Sequence, residues 1–277
     1  MSSTTTSTYV LGRSEQEYER LMLQSKLLRP FTDRYFRTAG VNPGMRVLDV
    51  GSGMGDVALL TAEIVGPSGS VLGVDQDAKA LERARQRVQE HGCASWVSFQ
   101  AATLNEFTAA EPFDAIVGRY VLLYQPDAGA AIRKLLRFLK PGGIVVFHEL
   151  DFTNPQSSDP PCPLWDEIYA LLSESFRRAG CPPDFGRRVG KAFTDAGLPF
   201  PTILAESLIG GARGSYVYSW IASTLLSVAP RMAQFGLKMP DGVAVDQTLA
   251  HRLEEAVLAV GSQLWGPTQF GAWARKS

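Results

Sequence analysis

The sequence predicts an α/β protein built on a doubly wound, mostly parallel β-sheet. Short apolar runs alternate with amphipathic segments of helical periodicity from about residue 46 to residue 147. Each apolar run has the length of a buried strand, and turns rich in glycine or proline separate several of these runs from their helices. Repeated units of strand and helix specify a parallel sheet with helices on its faces.

The predicted elements can be assigned in order along the chain. Before residue 151 the pattern predicts strands over 46–50, 70–74, 97–101, 113–118 and 144–147, and helices over 14–39, 55–65, 78–90 and 128–139. After residue 151 the character changes. The pattern there predicts helices over 164–179 and 186–196, a mostly helical stretch over 215–263, and strands over 202–209 and 269–274.

One domain accounts for this order of elements. Residues 1–13 begin with a Ser/Thr tract and are expected to form a disordered tail. Residues 14–277 are expected to form a single domain. Its helical segments at about 14–39, 160–180 and 212–263 are predicted to make a helical cap on the sheet.

Composition and charge exclude several classes of protein. The 277 residues carry a formal net charge of −1, and no stretch approaches the roughly 20 apolar residues that a membrane helix requires. No basic field is available to hold nucleic acid, so we expect neither nucleic acid nor a membrane as a partner. Cys93, Cys162 and Cys181 lack metal-ligand spacing, which predicts reduced thiols, no metal and a cytoplasmic location. These observations are compatible with a homodimer.

A glycine-rich turn follows the first predicted strand. The segment from Val47 to Asp56 reads VLDVGSGMGD, a buried strand followed by a turn that only glycine makes without steric cost. Dinucleotide-binding proteins carry G-x-G-x-x-G/A at such a turn. Here the spacing is G-x-G-x-G, and the carboxylate of Asp56 would repel a diphosphate but suits a cationic sulfonium. The sequence therefore disfavours NAD as the ligand.

An acidic residue ends the second predicted strand. The segment from Val71 to Asp75 reads VLGVD, and Asp75 lies about as far beyond the glycine turn as a ribose-binding acid does. Its carboxylate can accept a hydrogen bond from both ribose hydroxyls, although a solvated helix N-cap would also place an acid here. The glycine turn upstream favours the ribose.

These motifs resemble those of the class I, Rossmann-like S-adenosyl-L-methionine-dependent methyltransferases. Residues 48–55 resemble the first motif of that family, 71–75 the second, 113–119 the strand motif that follows, and 139–143 the turn before the fifth strand. The resemblance is greatest to bacterial small-molecule methyltransferases of the ubiquinone/menaquinone-biosynthesis-like group. It implies S-adenosyl-L-methionine as the cofactor, a small-molecule substrate, and a seven-stranded sheet whose last strand is antiparallel.

The resemblance also implies roles for single residues. Three residues of the turn would approach the methionine moiety of the cofactor: Gly51, Ser52 and Gly53. Asp75 would hold the ribose, and Gln76 would lie beside the adenine. Many relatives carry an acid near position 103, where this chain has Thr103. The hydroxyl of Thr103 and the backbone of Leu104 are therefore the predicted adenine contacts.

Three further polar residues are candidates for the cofactor site. Arg119 follows the fourth strand, and a buried guanidinium there needs an anionic partner: the cofactor carboxylate, a substrate anion or an internal acid. Arg20 and Gln24 share one face of the N-terminal helix. They are expected either to close over the cofactor carboxylate or to form an ordinary solvated helix face.

Candidates for a general base lie where the fifth strand ends. Methyl transfer from a sulfonium needs little acid–base help, and a base matters only when the acceptor must lose a proton. His148 and Glu149 are the predicted catalytic residues, because ligands bind at the carboxyl edge of open α/β sheets. A packed histidine and a carboxylate bonded to loop backbone are the structural alternatives.

Methyl transfer to oxygen, nitrogen or carbon of a small, partly apolar metabolite is the predicted function. Aromatic residues are frequent in the predicted cap and loops, where they would line a pocket for such a molecule or form the core of the cap. Two alternatives retain the cofactor without methyl transfer. One is an enzyme that catalyses a pericyclic rearrangement or a decarboxylation, and the other is a cofactor-sensing binding module.

Overall fold

The computed structural model describes residues 15–240 and 242–277, so the tail predicted over residues 1–13 lies outside the described residues. Within them the helices are α1 Glu15–Ala39, α2 Asp56–Val65, α3 Ala78–Glu90, α4 Ala128–Leu136, α5 Pro163–Arg178, α6 Phe185–Asp195, α7 Tyr216–Met232 and α8 Leu249–Val260. The strands are β1 Arg46–Val50, β2 Ser70–Asp75, β3 Val97–Ala101, β4 Phe113–Arg119, β5 Leu139–Asp151, β6 Ser158–Asp159, β7 Thr202–Gly210 and β8 Gln263–Arg275.

The strands form one sheet in the order β3-β2-β1-β4-β5-β8-β6, and β7 also pairs with β8. The pairs β1–β2, β1–β4, β2–β3 and β4–β5 are parallel, whereas β6 pairs with β8 in the antiparallel direction. The predicted doubly wound, mostly parallel sheet is therefore confirmed. The described residues contain eight strands instead of the predicted seven, because β6 has only two residues and hydropathy periodicity cannot reveal so short a strand.

The register of the central strands aligns their carboxyl ends. Val50, the last residue of β1, pairs with Val74 of β2 on one side and with Gly118 of β4 on the other. At the end of β4, Arg119 pairs with His148 of β5. The strand order reverses at β1, and the crevice beyond the carboxyl ends of such a switch point is where open α/β sheets bind ligands.

Several predicted boundaries are wrong; the last strand, for example, begins at Gln263 and not at residue 269. The turn at residues 139–143 was expected to precede the fifth strand, but β5 begins at Leu139 and the turn forms an irregularity in its pairing with β4. Backbone hydrogen bonds of Gly142 and Gly143 with Lys276 keep this segment in the sheet. The stretch 215–263 was expected to be mostly helical, but residues 233–248 lie between α7 and α8 and belong to neither helix.

The chain divides into two compact units. The core unit contains 28–149, 187–205 and 270–277, and the helical unit contains 150–186, 206–269 and the described residues up to 27. The core unit is built on buried apolar residues of α1, α2 and the central strands, including Tyr35, Phe36 and Val47. The helical unit buries apolar residues of α5, α7 and α8. A single domain with a helical cap stays a prediction.

Glycine at position 73 is required by close packing at the end of the sheet. A Cβ there would lie 2.5 Å from both Phe99 Cδ1 and Ser52 Oγ, well inside van der Waals contact. We predict that Gly73→Ala lowers the free energy of unfolding by about 1–3 kcal/mol, because the neighbours must shift. Urea denaturation measures this, with Gly266→Ala as the control, since its Cβ would approach no atom closer than 3.3 Å. Equal effects of the two substitutions would contradict this packing argument.

Candidate functional site

The glycine turn joins β1 to α2 at the switch point of the sheet. Gly51, Gly53 and Gly55 have φ angles of +67°, +51° and +80°, which residues with a side chain rarely adopt. The backbone N–H groups of Gly51 and Ser52 donate to the Val74 carbonyl at 2.9 and 3.0 Å, so the turn is fixed on β2. A Cβ on Gly53 would meet no atom within 4 Å. That open side of the turn gives a ligand access to the backbone.

The half-buried carboxylate of Asp75 holds the glycine turn against the end of β2. Its Oδ2 accepts a hydrogen bond from the Gly53 N–H at 2.9 Å, and its Oδ1 accepts one from the Asp77 N–H at 2.8 Å. A carboxylate has about four lone-pair sites, so these two bonds leave capacity to accept from hydroxyl groups. The helix N-cap in this segment is Asp77, whose side chain accepts from the first turn of α3. The N-cap alternative for Asp75 is therefore wrong.

The predicted adenine contacts lie beside Asp75. The Ala102 N–H donates to the Asp75 carbonyl at 3.0 Å, which places the loop after β3 next to the end of β2. The Thr103 hydroxyl donates to Glu106 Oε2 at 2.7 Å in a local turn. Leu104 is partly buried, and Gln76, which follows Asp75 in the chain, is exposed. The roles of these residues toward a ligand stay predictions.

Asp49 is the strongest indication of a ligand in the core unit. It is the last residue but one of β1 and is fully buried, and neither carboxylate oxygen has a hydrogen-bond partner among the described residues. Burial raises the pKa of Asp49 to about 7, and the nearby Ser52 hydroxyl and Arg119 guanidinium oppose this shift only in part. Buried carboxylates are normally paired. A positively charged group that hydrogen-bonds to Asp49 would remove this deficit.

Sequence reasoning missed Asp49 as a functional residue. Its signal is an acid within the apolar run Val47–Val50, at a strand position buried on both faces. Charged residues are almost never fully buried without a partner, so an acid in that run predicts either an internal ion pair or a cationic ligand. The motif at 48–55 predicted cofactor contacts for the residues of the glycine turn, but none for Asp49.

The buried arginine Arg119 has an acidic partner within the chain. Its Nη2 lies 4.0 Å from Asp56 Oδ2, and its Nη1 donates to the Thr32 hydroxyl at 3.4 Å. Asp56 also pairs with Arg87 at 2.7 Å. Among the alternatives for Arg119, the internal ion pair is observed, and a contact with the cofactor carboxylate stays a prediction. Because two arginines balance the charge of Asp56, its expected repulsion of a diphosphate is no longer an argument against NAD.

His148 is fully buried at the carboxyl end of β5. The Thr32 hydroxyl donates its proton to the Leu28 carbonyl at 3.1 Å, so the imidazole Nδ1, 2.9 Å from the Thr32 oxygen, is the donor of that second hydrogen bond. Nε2 is then the basic nitrogen of the ring. The rings of Tyr35 and Tyr120 meet the imidazole edge-on, at centroid distances of 5.0 and 5.5 Å. Packing therefore fixes the orientation of the ring.

Glu149 holds a short 3₁₀ turn formed by residues 122–124. Its Oε1 accepts from the N–H groups of Val121 and Leu122 at 3.0 and 2.8 Å, and its Oε2 accepts from Leu123 at 3.4 Å. Burial raises the pKa of Glu149 to about 8 despite these three bonds. The structural alternative, a carboxylate bonded to loop backbone, is what the structure shows.

Tyr120 connects β4 to this 3₁₀ turn in a strained conformation. Its φ is +57°, and among the described residues it is the one residue other than glycine with a positive φ. Its N–H donates to the His148 carbonyl at 2.8 Å. Backbone strain of this kind costs about 1–3 kcal/mol and is concentrated at functional sites.

Arg20 and Gln24 belong to the helical unit, where they form a buried network. Arg20 bonds to both carboxylate oxygens of Glu17 at 2.7–2.8 Å and to Gln24 Oε1 at 2.7 Å. The Trp220 indole N–H also donates to Gln24 Oε1, at 3.4 Å. Both predicted residues are less than a tenth exposed, so the alternative of a solvated helix face is wrong. Their predicted contact with the cofactor stays a prediction.

The described residues contain neither a cluster of metal ligands nor a membrane-spanning helix. No group of three or more His, Cys, Asp or Glu side chains in this part of the chain is arranged to hold a metal ion. Among the same residues, no helix is long and apolar enough to cross a membrane.

Comparison with known proteins assigns the chain to a family. The family described as "Methyltransferase domain" matches residues 41–179, which is half of the chain and contains the glycine turn, Asp49 and Asp75. The chain belongs to this family. The motifs and the sheet described above identify this family as that of the class I S-adenosyl-L-methionine-dependent methyltransferases. S-adenosyl-L-methionine is therefore the cofactor.

Individual relatives match half of the chain or less. The chain is 37% identical over 129 residues to an arsenite methyltransferase of Aquipseudomonas alcaligenes, covering 42% of this chain and 37% of the relative. It is 34% identical over 139 residues to the ubiquinone/menaquinone biosynthesis C-methyltransferase UbiE of Ectopseudomonas mendocina, covering 50% and 52%. The chain thus spans about half or less of the length of these curated relatives.

Solved structures support the fold over more of the chain. The crystal structure of the cyclase SpnF aligns with a TM-score of 0.55, covering 89% of this chain and 80% of that one, at 22% sequence identity. At such low identity the alignment shows a shared fold and says nothing about the reaction.

The raised pKa of Asp49 predicts that replacing this residue with the neutral asparagine stabilises the folded protein. Above pH 7 the ligand-free protein buries an unpaired charge, so Asp49→Asn should raise the free energy of unfolding at pH 8, by up to a few kcal/mol. The folded-state pKa of Asp49 lies above the ordinary 3.8, so the free energy of unfolding of the wild type falls as the pH rises from 3.8 to 7. Near pH 4 the substitution should therefore have little effect. Urea denaturation at both pH values measures the difference.

Asp114 is the matched control. Its carboxylate accepts hydrogen bonds from the Arg46 N–H and from Lys140 Nζ. Burial alone would raise the pKa of Asp114, but these contacts hold that pKa below its ordinary value. Asp114→Asn should therefore destabilise the protein at pH 8. A loss of stability at pH 8 in Asp49→Asn as well would show that Asp49 has a partner within the chain.

Proposed function

We propose that the protein transfers a methyl group from S-adenosyl-L-methionine to oxygen, nitrogen or carbon of a small, partly apolar metabolite. The single observation that carries the proposal is the fully buried carboxylate of Asp49, without a partner among the described residues, in the strand that leads into the glycine turn. S-adenosyl-L-methionine carries an α-ammonium group, which is the kind of charge this carboxylate needs. The family of the chain and the methyltransferases among its relatives support the same reaction.

The residues of the core unit fit the cofactor by their chemistry. Asp49 would hold the ammonium group, and the open side of the turn would admit the methionine moiety beside its backbone: Gly51, Ser52 and Gly53. Asp75 would accept hydrogen bonds from the ribose hydroxyls with the lone pairs that its two backbone bonds leave over. Gln76, Thr103 and Leu104 would surround the adenine. Arg119, which already faces Asp56, would approach the cofactor carboxylate.

Bound S-adenosyl-L-methionine supplies an activated methyl group on a sulfonium, so the protein itself has mainly to orient the reactants. The strained backbone of Tyr120 and the buried ring of His148 are fixed by packing at the carboxyl edge of β4 and β5. If the acceptor is a hydroxyl, we propose Nε2 of His148 as the base. Glu149 is less suited to that role, because its oxygens bind three backbone N–H groups and position the 3₁₀ turn.

The proposed acceptor is an organic molecule rather than arsenite. The arsenite methyltransferase among the relatives is matched over 42% of this chain. Arsenic binds cysteine sulfur, but Cys93, Cys162 and Cys181 are all buried, and burial raises the pKa of Cys93 and raises that of Cys181 to about 11. Nothing in the described residues favours a pericyclic reaction, a decarboxylation or a sensing role. We further propose a cytoplasmic location, no nucleic-acid partner, and a monomer or homodimer.

The decisive test of cofactor identity is calorimetry with S-adenosylhomocysteine and with NAD. We expect S-adenosylhomocysteine to bind and NAD not to bind. Asp75→Ala should weaken S-adenosylhomocysteine at least about tenfold, because a charged hydrogen bond contributes roughly 1.5–3 kcal/mol. Asp77→Ala is the matched control: it removes the N-cap of α3 two residues away and should leave affinity nearly unchanged. Tight binding of NAD without binding of S-adenosylhomocysteine would refute the proposal.

Methyl transfer itself is tested with cofactor labelled in the methyl group and a metabolite extract. Label should appear in a small organic product, and its absence alongside tight cofactor binding would favour a non-methylating role. With the acceptor known, His148→Gln should lower kcat at least about a hundredfold if the acceptor is a hydroxyl, with cofactor affinity retained. An unchanged kcat would exclude His148 as the base.

A further inference from the structure

The helical unit contains a cavity of about 600 Å³ that is partly open to solvent. Its walls come from residues 152–158, which follow β5, from Pro161 and from α5. The wall residues of α5 recur at i, i+3, i+4, i+7 and i+8 and so form one stripe along the helix: Asp166, Tyr169, Ala170, Ser173 and Glu174. A different stripe, with Trp165, Leu172 and Phe176, is in the core. The volume lies within the ordinary range for small-molecule sites.

Tyr169 in this wall has an unsatisfied hydroxyl. The residue is 3% exposed, and its hydroxyl has no hydrogen-bond partner among the described residues. Burial, and then the Asp151 carboxylate, raise the pKa of Tyr169 well above its ordinary value, so the phenol keeps its proton. A buried hydroxyl without a partner costs roughly 1–3 kcal/mol. A ligand group that accepts this proton would remove the cost.

The rest of the wall combines aromatic rings with small polar groups. The ring of Tyr169 lies 5.8 Å from the ring of Phe152, which is also in the wall, and 6.2 Å from that of Trp165 behind it. Ala170 and Ser173 leave room beside these rings because their side chains are short. Aromatic faces next to open space favour a flat or partly apolar ligand.

The charges of the wall select against anions. Its charged side chains, among the described residues, are the carboxylates of Asp166 and Glu174, and no lysine, arginine or histidine lines the cavity. Asp166 accepts from the hydroxyls of Ser157 and Ser158, and Glu174 pairs with two arginines outside the wall. Hydrogen bonds from Arg178 and Arg177 lower the pKa of Glu174 below its ordinary value. The arginines offset the charge of Glu174, whereas Asp166 bonds to hydroxyls, so a negatively charged ligand would be repelled by Asp166.

From these observations we propose that the cavity binds a neutral, partly aromatic small molecule whose hydroxyl or carbonyl oxygen accepts a hydrogen bond from Tyr169. This inference goes beyond methyl transfer, because the site is built within the helical unit alone and its occupancy does not require the cofactor. It also narrows the class of molecule that the protein recognises. Carboxylates, phosphates and diphosphates should bind this cavity more weakly because of the Asp166 carboxylate.

Two probes with the same ring system test the proposal by calorimetry on the full chain without cofactor. 2-Naphthol is neutral near pH 7 and carries a hydroxyl, whereas 2-naphthoate carries a carboxylate on the same ring. We expect 2-naphthol to bind and 2-naphthoate to bind at least about tenfold more weakly. Asp75→Ala, which impairs the cofactor site, should leave the affinity for 2-naphthol unchanged. That result would show that binding in this cavity does not depend on the cofactor site, so the two proposals can fail independently.

Tyr169→Phe tests the hydrogen bond, and Tyr218→Phe is its matched control. Tyr218 is also buried in the helical unit, and its hydroxyl likewise has no partner among the described residues, but it does not line the cavity. Neither substitution should lower Tm, since each removes an unsatisfied hydroxyl. Tyr169→Phe should weaken 2-naphthol about threefold to tenfold, and Tyr218→Phe should not change its affinity.

Ala170→Trp provides a second variant that fills the cavity from an exposed position. It should abolish binding of 2-naphthol while Tm stays within a few degrees of the wild type. The proposal is overturned if the wild type fails to bind 2-naphthol up to its solubility limit. It is also overturned if 2-naphthoate binds as well as 2-naphthol, or if Tyr169→Phe and Tyr218→Phe have the same affinity for 2-naphthol.

Discussion

The unpaired charge of Asp49 is the constraint on which the proposed site depends. A carboxylate buried in the middle of a parallel sheet destabilises the ligand-free protein, and replacing it with an apolar residue would favour folding. We therefore propose that a ligand compensates it. The surrounding residues are compatible with a cationic ligand: Ser52 is small, and the backbone of the turn is accessible beside Gly53. The buried carboxylate lowers the stability of the ligand-free protein, and a cation that binds beside it restores that stability.

The remaining geometry follows from the register of the sheet. Because Val50, Val74 and Gly118 lie side by side, the chain segments that follow them leave the sheet at the same edge. Asp75 and the 3₁₀ turn held by Glu149 then fix the loops at that edge through backbone hydrogen bonds. Buried carboxylates thus serve two purposes here. Glu149 is satisfied by N–H groups and stabilises a loop, whereas Asp49 accepts no hydrogen bond from any described residue.

Much of the fold could be predicted from the sequence, because hydropathy periodicity and turn residues report local structure. The parallel core, the glycine turn and the acid at position 75 were all found in this way. The pairing of Arg119 with Asp56, the network of Arg20 and the burial of His148 could not be predicted, since they depend on contacts between distant segments. The two-residue strand β6 was missed because periodicity needs longer runs. Asp49 was visible as an acid in an apolar run, but only its burial shows that it lacks a partner.

The most direct test of the central claim is the proton released when S-adenosylhomocysteine binds, measured calorimetrically near pH 6.5 in buffers of different ionisation enthalpy. Asp49 has a pKa of about 7 in the ligand-free protein, so it is largely protonated at that pH. An ammonium group beside it would lower this pKa and expel the proton. The wild type should therefore release most of one proton on binding, and Asp49→Asn should release none and bind more weakly. The same proton release in both proteins would contradict the assignment of Asp49 as the partner of the ligand's positive charge.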